Sequence, residues 1–161
     1  LIVYYAAKMW KAGATRQEII KWVEDNRMRV NHWFSVDDLY HLKRGGRISG
    51  AAALMGTMLE LKPILTVNRE GKLIVAEKAK GRKRAIKTLL DKMEENIENP
   101  EEQLIVVLHA DAPEDAAYLE SRIKEKYNPK ELWVNYVGPV IGTHCGPGTI
   151  AVLFMGKERA Q

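Results

Sequence analysis

The segment that most restricts how this chain can fold is an unbroken apolar run, LIVVL, at residues 104–108. A run of this length and composition is typical of a β-strand that is covered on both faces. Helical signals stand on either side of it. Residues 85–97 repeat apolar side chains at helical spacing, and Pro113 with Glu114 can open a second helix. The sequence therefore predicts a sheet with helices packed against it.

The remaining signals predict the order of the other elements. Strands are expected within residues 30–36, 62–67, 72–77, 132–137 and 149–154, helices within residues 37–44 and 51–59, and a hairpin turn at residues 68–71. Residues 1–29 are expected to be largely helical, and Thr15 with Glu18 forms a capping-box pattern. After residue 30 the order is β-α-α-β-β-α-β-α-β-β. This order predicts an α/β fold in which a mixed β-sheet is packed with helices.

The composition excludes several classes of protein. With 161 residues, of which 46% are apolar, the chain can form one domain, or one domain and a piece of another. Its net charge of +4, from 25 basic and 21 acidic residues, is too small for a nucleic-acid-binding tail. Cys145 is the only cysteine, which excludes an internal disulfide and fits a reducing cytoplasm. No apolar run is long enough to span a membrane, and because the chain starts at Leu1 we expect a fragment of a longer protein.

Two glycine-framed motifs each present one side chain that can carry a positive charge. Residues 39–49 read LYHLKRGGRIS and contain Arg47, whereas residues 141–148 read IGTHCGPG and contain His144. Glycine lets the backbone turn sharply or approach a ligand closely. We expect both side chains to bind a small anion, for which a carboxylate is the best candidate. This pattern favours a binding protein over an enzyme.

Arg47 has two interpretations. Its guanidinium is a planar fork of donors that matches a carboxylate in bidentate fashion. It follows a helix that Asp37 or Asp38 can cap and that Gly45 can end, with Gly45 at the C′ position. Alternatively, Arg47 is a surface residue after a glycine cap, or it bonds to the last carbonyls of that helix.

His144 lies in a segment with three glycines and a proline, which predicts a loop of tightly specified shape between the last two strands. A histidine in such a loop can donate a hydrogen bond to a carboxylate, and its charge is easily adjusted near neutral pH. Alternatively, it only braces its own loop.

Cys145 beside His144 raises a second hypothesis, a small-molecule hydrolase or transferase that uses the histidine as base and the cysteine as nucleophile. Adjacent residues of an extended chain point in opposite directions, and no cysteine-protease signature surrounds Cys145, so a small buried thiol is the alternative. The histidines lack paired ligand spacing, and no metal is expected. His109 and Asp111 follow the strand at 104–108 and form a further candidate site, although Asp111 is better explained as the cap of the next helix.

Five cations lie within residues 78–84, KAKGRKR, just before the predicted long helix. A run of this kind is usually a solvated face, and the alternative is a docking patch for an acidic partner. Nucleic acid is not expected as a partner, because no aromatic side chains interleave the charges, and a nucleic-acid-binding module is the weakest of the three hypotheses.

The two glycine motifs, together with KPIL at residues 62–65, resemble the DegV family of bacterial fatty-acid-binding proteins. The family pattern Asp-x-Leu-x-x-Leu-x-x-Gly-Gly-Arg-Ile-Ser corresponds to residues 37–49, with either aspartate aligned to its first position. The pattern Ile-Gly-x-His-x-Gly-Pro-Gly is matched without a break at residues 141–148. The similarity runs through essentially the whole chain.

This resemblance implies two α/β domains with a fatty acid in a tunnel between them, no catalytic activity and no cofactor. The acid's carboxylate would be held by hydroxyl groups of the N-terminal domain and by an Arg and a His of the C-terminal domain, which map to Arg47 and His144. A separate fatty acid kinase subunit would convert the bound long-chain acid to an acyl phosphate for phospholipid synthesis. Arg82 is the residue that we expect to contribute to kinase docking.

The family's N-terminal domain is largely absent from this sequence. We expect residues 1–29 to be the last helices of that domain and residues 30–161 to be the C-terminal domain. Four apolar residues on the helix after the arginine motif are expected to line the acyl tunnel or to be ordinary core: Leu54, Met55, Met58 and Leu59.

Overall fold

The computed structural model describes residues 1–47 and 60–159. The helices are Ile2–Lys11 (α1), Arg16–Asn26 (α2), Leu39–Arg44 (α3), Arg82–Asn96 (α4), Pro113–Tyr127 (α5) and Pro139–Cys145 (α6). The strands are Val30–Ser35 (β1), Leu61–Val67 (β2), Leu73–Lys80 (β3), Leu104–Ala110 (β4), Glu131–Tyr136 (β5) and Thr149–Met155 (β6). The described residues also include short 3-10 turns at Arg27–Arg29 and Pro100–Glu102.

The six strands form one sheet in the order β3-β2-β1-β6-β4-β5. Only β4 and β5 are parallel, and α5 provides the crossover that a parallel pair needs. The other neighbours run antiparallel, including the hairpin of β2 and β3 around Gly71. The predicted α/β fold with a mixed sheet is therefore confirmed.

One face of the sheet is covered by α4 and α5. Each helix presents an apolar stripe to it, with Leu89 and Met93 of α4 and Leu119 and Ile123 of α5 completely buried. They pack on side chains from the central strands: Ile64, Ile105, Val107, Ile150, Val152 and Phe154. This layer is the main hydrophobic core.

The opposite face of the sheet carries only α3 and α6 among the described residues. These helices bury Leu39, Leu42 and Cys145 against Phe34 of β1 and Leu65 of β2. They have six and seven residues, whereas α4 and α5 have fifteen each. At about 1.5 Å per residue, two such short helices cover only part of the sheet.

The first two helices lie at the β5 edge. Tyr4 of α1 packs edge-on against Trp133 of β5, and its hydroxyl donates a hydrogen bond to Glu131. Thr15 and Glu18 form the predicted capping box at the start of α2, with each side chain bonded to the backbone N–H of the other residue. None of the helices in the described part of the chain is both long and apolar enough to cross a lipid bilayer.

The segment that contains His144 differs from its prediction. Residues 139–145 form α6 instead of a loop, because Pro139 occupies the first helical turn and Gly138 precedes it in an extended conformation. Gly146 of the motif ends this helix, with φ of 77°. The helix predicted at residues 51–59, and with it the predicted tunnel residues Leu54, Met55, Met58 and Leu59, lies outside the described residues.

Candidate functional site

The two glycine motifs are neighbours in the folded protein, because α3 and α6 pack together on the same face of the sheet. The contact between them is made at the glycines. A Cβ at Gly45 would lie closer than 3.0 Å to Nδ1 of His144, and a Cβ at Gly146 would lie equally close to the ring of His41. Each motif therefore supplies a glycine that makes room for a histidine of the other motif.

A third glycine repeats this arrangement. A Cβ at Gly148 would overlap the carboxylate of Asp37, and Gly148 also has φ of 77°. Its backbone N–H donates to the carbonyl of Ala110 at 2.7 Å, which ties the end of the motif to β4. Three separate contacts thus hold the two motifs in one fixed arrangement.

Gly45 differs from its predicted role. The sequence predicts Gly45 at C′, but it is the C-cap residue of α3 with φ of −79°, and Gly46 follows it with φ of 69°. The N-cap prediction is confirmed, since the side chain of Asp38 accepts a hydrogen bond from the N–H of Tyr40 at 2.8 Å. Gly45 has to lack a side chain because His144 occupies the adjacent space.

Beside the contact between α3 and α6 lies a cavity of about 440 Å³, which we call the apolar cavity. The sheet provides most of its walls, and α3 and α6 close one side. Among its apolar lining residues are Phe34, Leu42, Leu73, Leu108, Ala151 and Leu153. Arg47 and His144 line it too, although they lie almost 100 positions apart in the chain. Among the described residues that line this cavity, none is acidic.

Arg47 follows α3 and is exposed. Its backbone N–H donates to the carbonyl of Leu42 at 2.8 Å, and its Nη1 donates to the carbonyl of Gly45 at 2.6 Å. These two bonds fix the start of the side chain and one donor of the guanidinium. A guanidinium has five N–H donors, so this arrangement is compatible with a further anionic partner.

His144 lies in the last turn of α6 and is half-buried. Its Nδ1 is buried against Gly45 and has no hydrogen-bond partner within the described ranges 1–47 and 60–159. The alternative interpretation, that His144 only braces its own loop, does not fit, because the ring packs against α3 of the other motif. The imidazole is thus held at the wall of the apolar cavity by packing.

Cys145 also lines the apolar cavity, and it is 6% exposed. Burial raises the pKa of its thiol, whereas a nucleophilic cysteine needs a lowered pKa. On α6 the side chains of His144 and Cys145 point about 100° apart, as successive helical residues do. In the described part of the chain, no hydrogen bond joins them. This geometry argues against a His144–Cys145 catalytic pair.

His32 is a cavity residue that the sequence analysis missed. It lies on β1 on the same face as Phe34 and lines the apolar cavity. Burial is the main reason that its pKa is lowered to about 4, and the positive charge of Arg159 lowers it further. The imidazole is therefore neutral at pH 7. Strand alternation through residues 30–35 could have placed it on this face.

Arg82 lies at the start of α4 and makes ion pairs with two carboxylates. Its guanidinium is 2.7 Å from Asp115 and 3.3 Å from Asp37, and its side chain is 23% exposed. Lys62 also contacts Asp37 at 3.0 Å. Asp37 is the residue that packs on Gly148. Arg82 thus braces the interlocked motifs, and its predicted part in partner docking stays a prediction.

His109 has a structural role. His109 is buried, its Nδ1 accepts from the N–H of Ala112 at 3.3 Å, and its ring packs on Tyr136. The prediction that Asp111 caps α5 is wrong, because the cap residue is Ala112 and no side chain bonds there. No group of His, Cys, Asp and Glu side chains suited to a metal ion occurs in the described residues.

Comparison with known proteins identifies relatives of the whole chain. A family model described as an uncharacterised protein of the DegV family matches residues 1–157. A DegV domain-containing protein of Clostridium perfringens is 51% identical over 159 residues, which cover 99% of this chain and 55% of that protein. The chain therefore spans about half the length of the curated relatives it matches.

Two solved structures have the same fold. The Thermus thermophilus structure, described as fatty acid binding of a DegV family protein, has a TM-score of 0.87 and 32% identity over 97% of this chain and 56% of its own. Bacillus subtilis DegV, described as a fatty acid binding protein, has a TM-score of 0.79 and 36% identity over 94% of this chain and 54% of its own. On this sequence and structural similarity, the chain belongs to the DegV family.

Proposed function

We propose that this chain forms one side of a binding site for a long-chain fatty acid, with Arg47 and His144 holding the carboxylate. The observation that carries the proposal is that Arg47 and His144, from motifs almost 100 residues apart, line the same apolar cavity. Its volume, about 440 Å³, is within the usual range of about 300–1,000 Å³ for small-molecule sites.

The physical chemistry of the cavity suits an amphipathic acid. Each methylene group removed from water contributes about 0.8 kcal/mol, so the acyl chain provides most of the binding free energy. A carboxylate opposes burial unless it is paired and hydrogen-bonded. A guanidinium supplies a planar pair of donors for it, and an imidazole supplies another. The lack of acidic side chains among the described lining residues removes a source of repulsion.

The relatives support this proposal, since the Thermus thermophilus and Bacillus subtilis proteins are described as fatty-acid-binding. Because this chain spans only about half of each, the rest of the site is proposed to come from an N-terminal domain. Residues 1–29 would be the last helices of that domain, and residues 30–161 the C-terminal domain. The hydroxyl groups expected in the N-terminal domain would complete the carboxylate's hydrogen bonds.

We further propose that the protein is not itself an enzyme but presents the acid to a separate kinase subunit in the cytoplasm. There, a carboxylate oxygen would bond to the γ-phosphorus of a nucleoside triphosphate held by the kinase. The bond to the bridging β-phosphate oxygen would break, and the nucleoside diphosphate would leave. The product is an acyl phosphate, a precursor for phospholipid synthesis. Arg82 would contribute to kinase docking.

The test is the affinity of the full-length gene product for palmitic acid, measured by displacement of a fluorescent fatty acid. We expect Arg47→Ala to weaken binding by about 10- to 100-fold, the usual effect of removing a charged hydrogen-bond partner. Arg122→Ala is the matched control, because Arg122 lies on α5 on the opposite face of the sheet and pairs with Glu125. Unchanged affinity in Arg47→Ala, in a protein that remains folded, contradicts the proposed role of Arg47.

A further inference from the structure

A second cavity adjoins the apolar cavity, and the two share His144 as a wall. It has a volume of about 570 Å³ and lies over the contact between α3 and α6. We call it the basic pocket, and its lining residues are His41, Arg44, Gly45, Gly142, Thr143, His144, Gly146 and Pro147. Its side chains of note are thus one guanidinium, two imidazoles and one hydroxyl.

The geometry of His41 and Arg44 shows which groups they offer to a ligand. Nη2 of Arg44 lies 3.0 Å from Nδ1 of His41. Arginine can only donate, so Nδ1 accepts this bond, and the proton of a neutral His41 is on Nε2. Cγ, Cδ2 and Nε2 of the same ring pack against Gly146. The remaining N–H donors of the Arg44 guanidinium are therefore what this pair offers to a ligand.

The charge of the basic pocket differs from that of the neighbouring pocket around Arg82. Arg82 is paired with the carboxylates of Asp37 and Asp115, and Asp111 and Glu114 also line its pocket. The lining residues of the basic pocket include no carboxylate, and within the described residues Arg44 makes no ion pair. An anion would therefore meet a free positive charge in the basic pocket and a neutralised one beside Arg82.

We propose that the basic pocket binds the phosphoryl group of an acyl phosphate whose acyl chain lies in the apolar cavity. This inference rests on the proposed function. Phosphorylation extends the acid by one tetrahedral anionic group, which needs donors next to the carboxylate position. His144 borders both cavities, so the basic pocket, which Arg44 and His41 also line, is the space next to the proposed carboxylate position. Guanidinium groups suit phosphate because several N–H donors reach its oxygens together.

The test compares two ligands with the same chain in the full-length gene product. They are palmitic acid and palmitoyl phosphonate, in which a stable carbon–phosphorus bond replaces the labile linkage of the acyl phosphate. We expect Arg44→Gln to weaken palmitoyl phosphonate binding by about 10-fold or more, because a charged donor to phosphate is lost. Palmitic acid binding should change by less than about twofold, because Arg44 does not line the apolar cavity.

Lys43→Gln is the matched control, because it removes the same charge from the next residue of α3, and Lys43 does not line the basic pocket. It should leave both affinities unchanged. Arg44→Lys keeps the charge but loses the planar arrangement of guanidinium donors. Its phosphonate affinity should therefore fall between those of the wild type and Arg44→Gln.

Three results would overturn the inference. The first is an equal loss of affinity for both ligands in Arg44→Gln, and the second is no loss of affinity for either ligand in that variant. The third is a loss of phosphonate affinity in Lys43→Gln as large as that in Arg44→Gln. Inorganic phosphate alone is included as a competitor, and binding as tight as that of palmitoyl phosphonate would indicate a free-phosphate site instead. If the wild type binds neither palmitic acid nor the phosphonate, the proposed function itself fails.

Discussion

The two faces of the sheet are built differently, and the difference separates stability from binding. One face lies under α4 and α5. Each of these helices has fifteen residues and buries a continuous apolar stripe. The other face carries only the short α3 and α6 among the described elements, and the apolar cavity remains beside them. Long helices close a core, whereas, among the described residues, the short helices held by interlocked glycines leave apolar sheet surface that a ligand can cover.

We call the face under α4 and α5 the closed face and the face that carries α3 and α6 the open face. The largest expected effect is a difference in stability between a residue of the closed face and one of the open face. Leu89 of α4 is completely buried, so we expect Leu89→Ala to lower the free energy of unfolding by about 2–5 kcal/mol. Leu108 lines the apolar cavity and is half-buried, so Leu108→Ala should cost only about 1 kcal/mol. Urea denaturation of the full-length protein measures both. Equal losses would show that the cavity face is packed as tightly as the core.

The next effect is a pH dependence of stability that comes from His32 on the open face. The pKa of His32 is lowered to about 4 in the folded protein by burial in the cavity wall, from an ordinary value of 6.5. The folded state therefore binds fewer protons than the unfolded state between these values. Its contribution to stability is complete above pH 6.5 and is lost as the pH falls toward 4, by at most about 3 kcal/mol.

The control for this prediction is His32→Phe, which keeps an aromatic ring in the apolar cavity and removes the titrating group. Denaturation curves at pH 7.0, 5.5 and 4.5 compare the two proteins. The wild type should lose more stability over this range than the variant. Parallel losses would mean that His32 titrates normally and is open to water.

The smallest effect concerns the interlocked glycines that hold the open face together. In Gly45→Ala the added methyl group overlaps His144, so we expect a loss of about 1–3 kcal/mol and weaker palmitic acid binding. Gly142→Ala is the control, because its nearest contact is at 4.0 Å in the interior of α6, where alanine favours the helix by up to about 1 kcal/mol. Thermal unfolding and palmitic acid titration measure both. If both variants behave alike, close contact between the motifs is not required.

The elements of this fold could largely be predicted because their signals are local. The run at residues 104–108 became β4, the helical spacing of residues 85–97 became most of α4, and the capping box formed at Thr15 and Glu18. The segment around His144 was predicted as a loop, because glycine and proline are typical of loops, whereas the structure has a helix of seven residues there. Pro139 in the first turn was the local signal that the prediction did not use.

The candidate site was predicted only in part. Arg47 and His144 were selected from their motifs, and they do line one cavity. His32 was not selected, because alternation along β1 places it on the same face as Phe34, but only the positions of α3 and α6 show that this face lines a cavity. Nor did the sequence indicate why Gly45 has no side chain, since the group that excludes one belongs to α6.

The sequence by itself determined the strands, the long helices α4 and α5, the mixed sheet and the choice of one cationic side chain in each motif. These follow from side-chain periodicity, caps and turns, which act within a few residues along the chain. Only the tertiary structure decided that Gly45 receives His144, that Gly146 receives His41 and that one imidazole borders two cavities. Such contacts join residues about 100 positions apart, and their geometry depends on how the sheet brings α3 and α6 together, for which no local pattern exists.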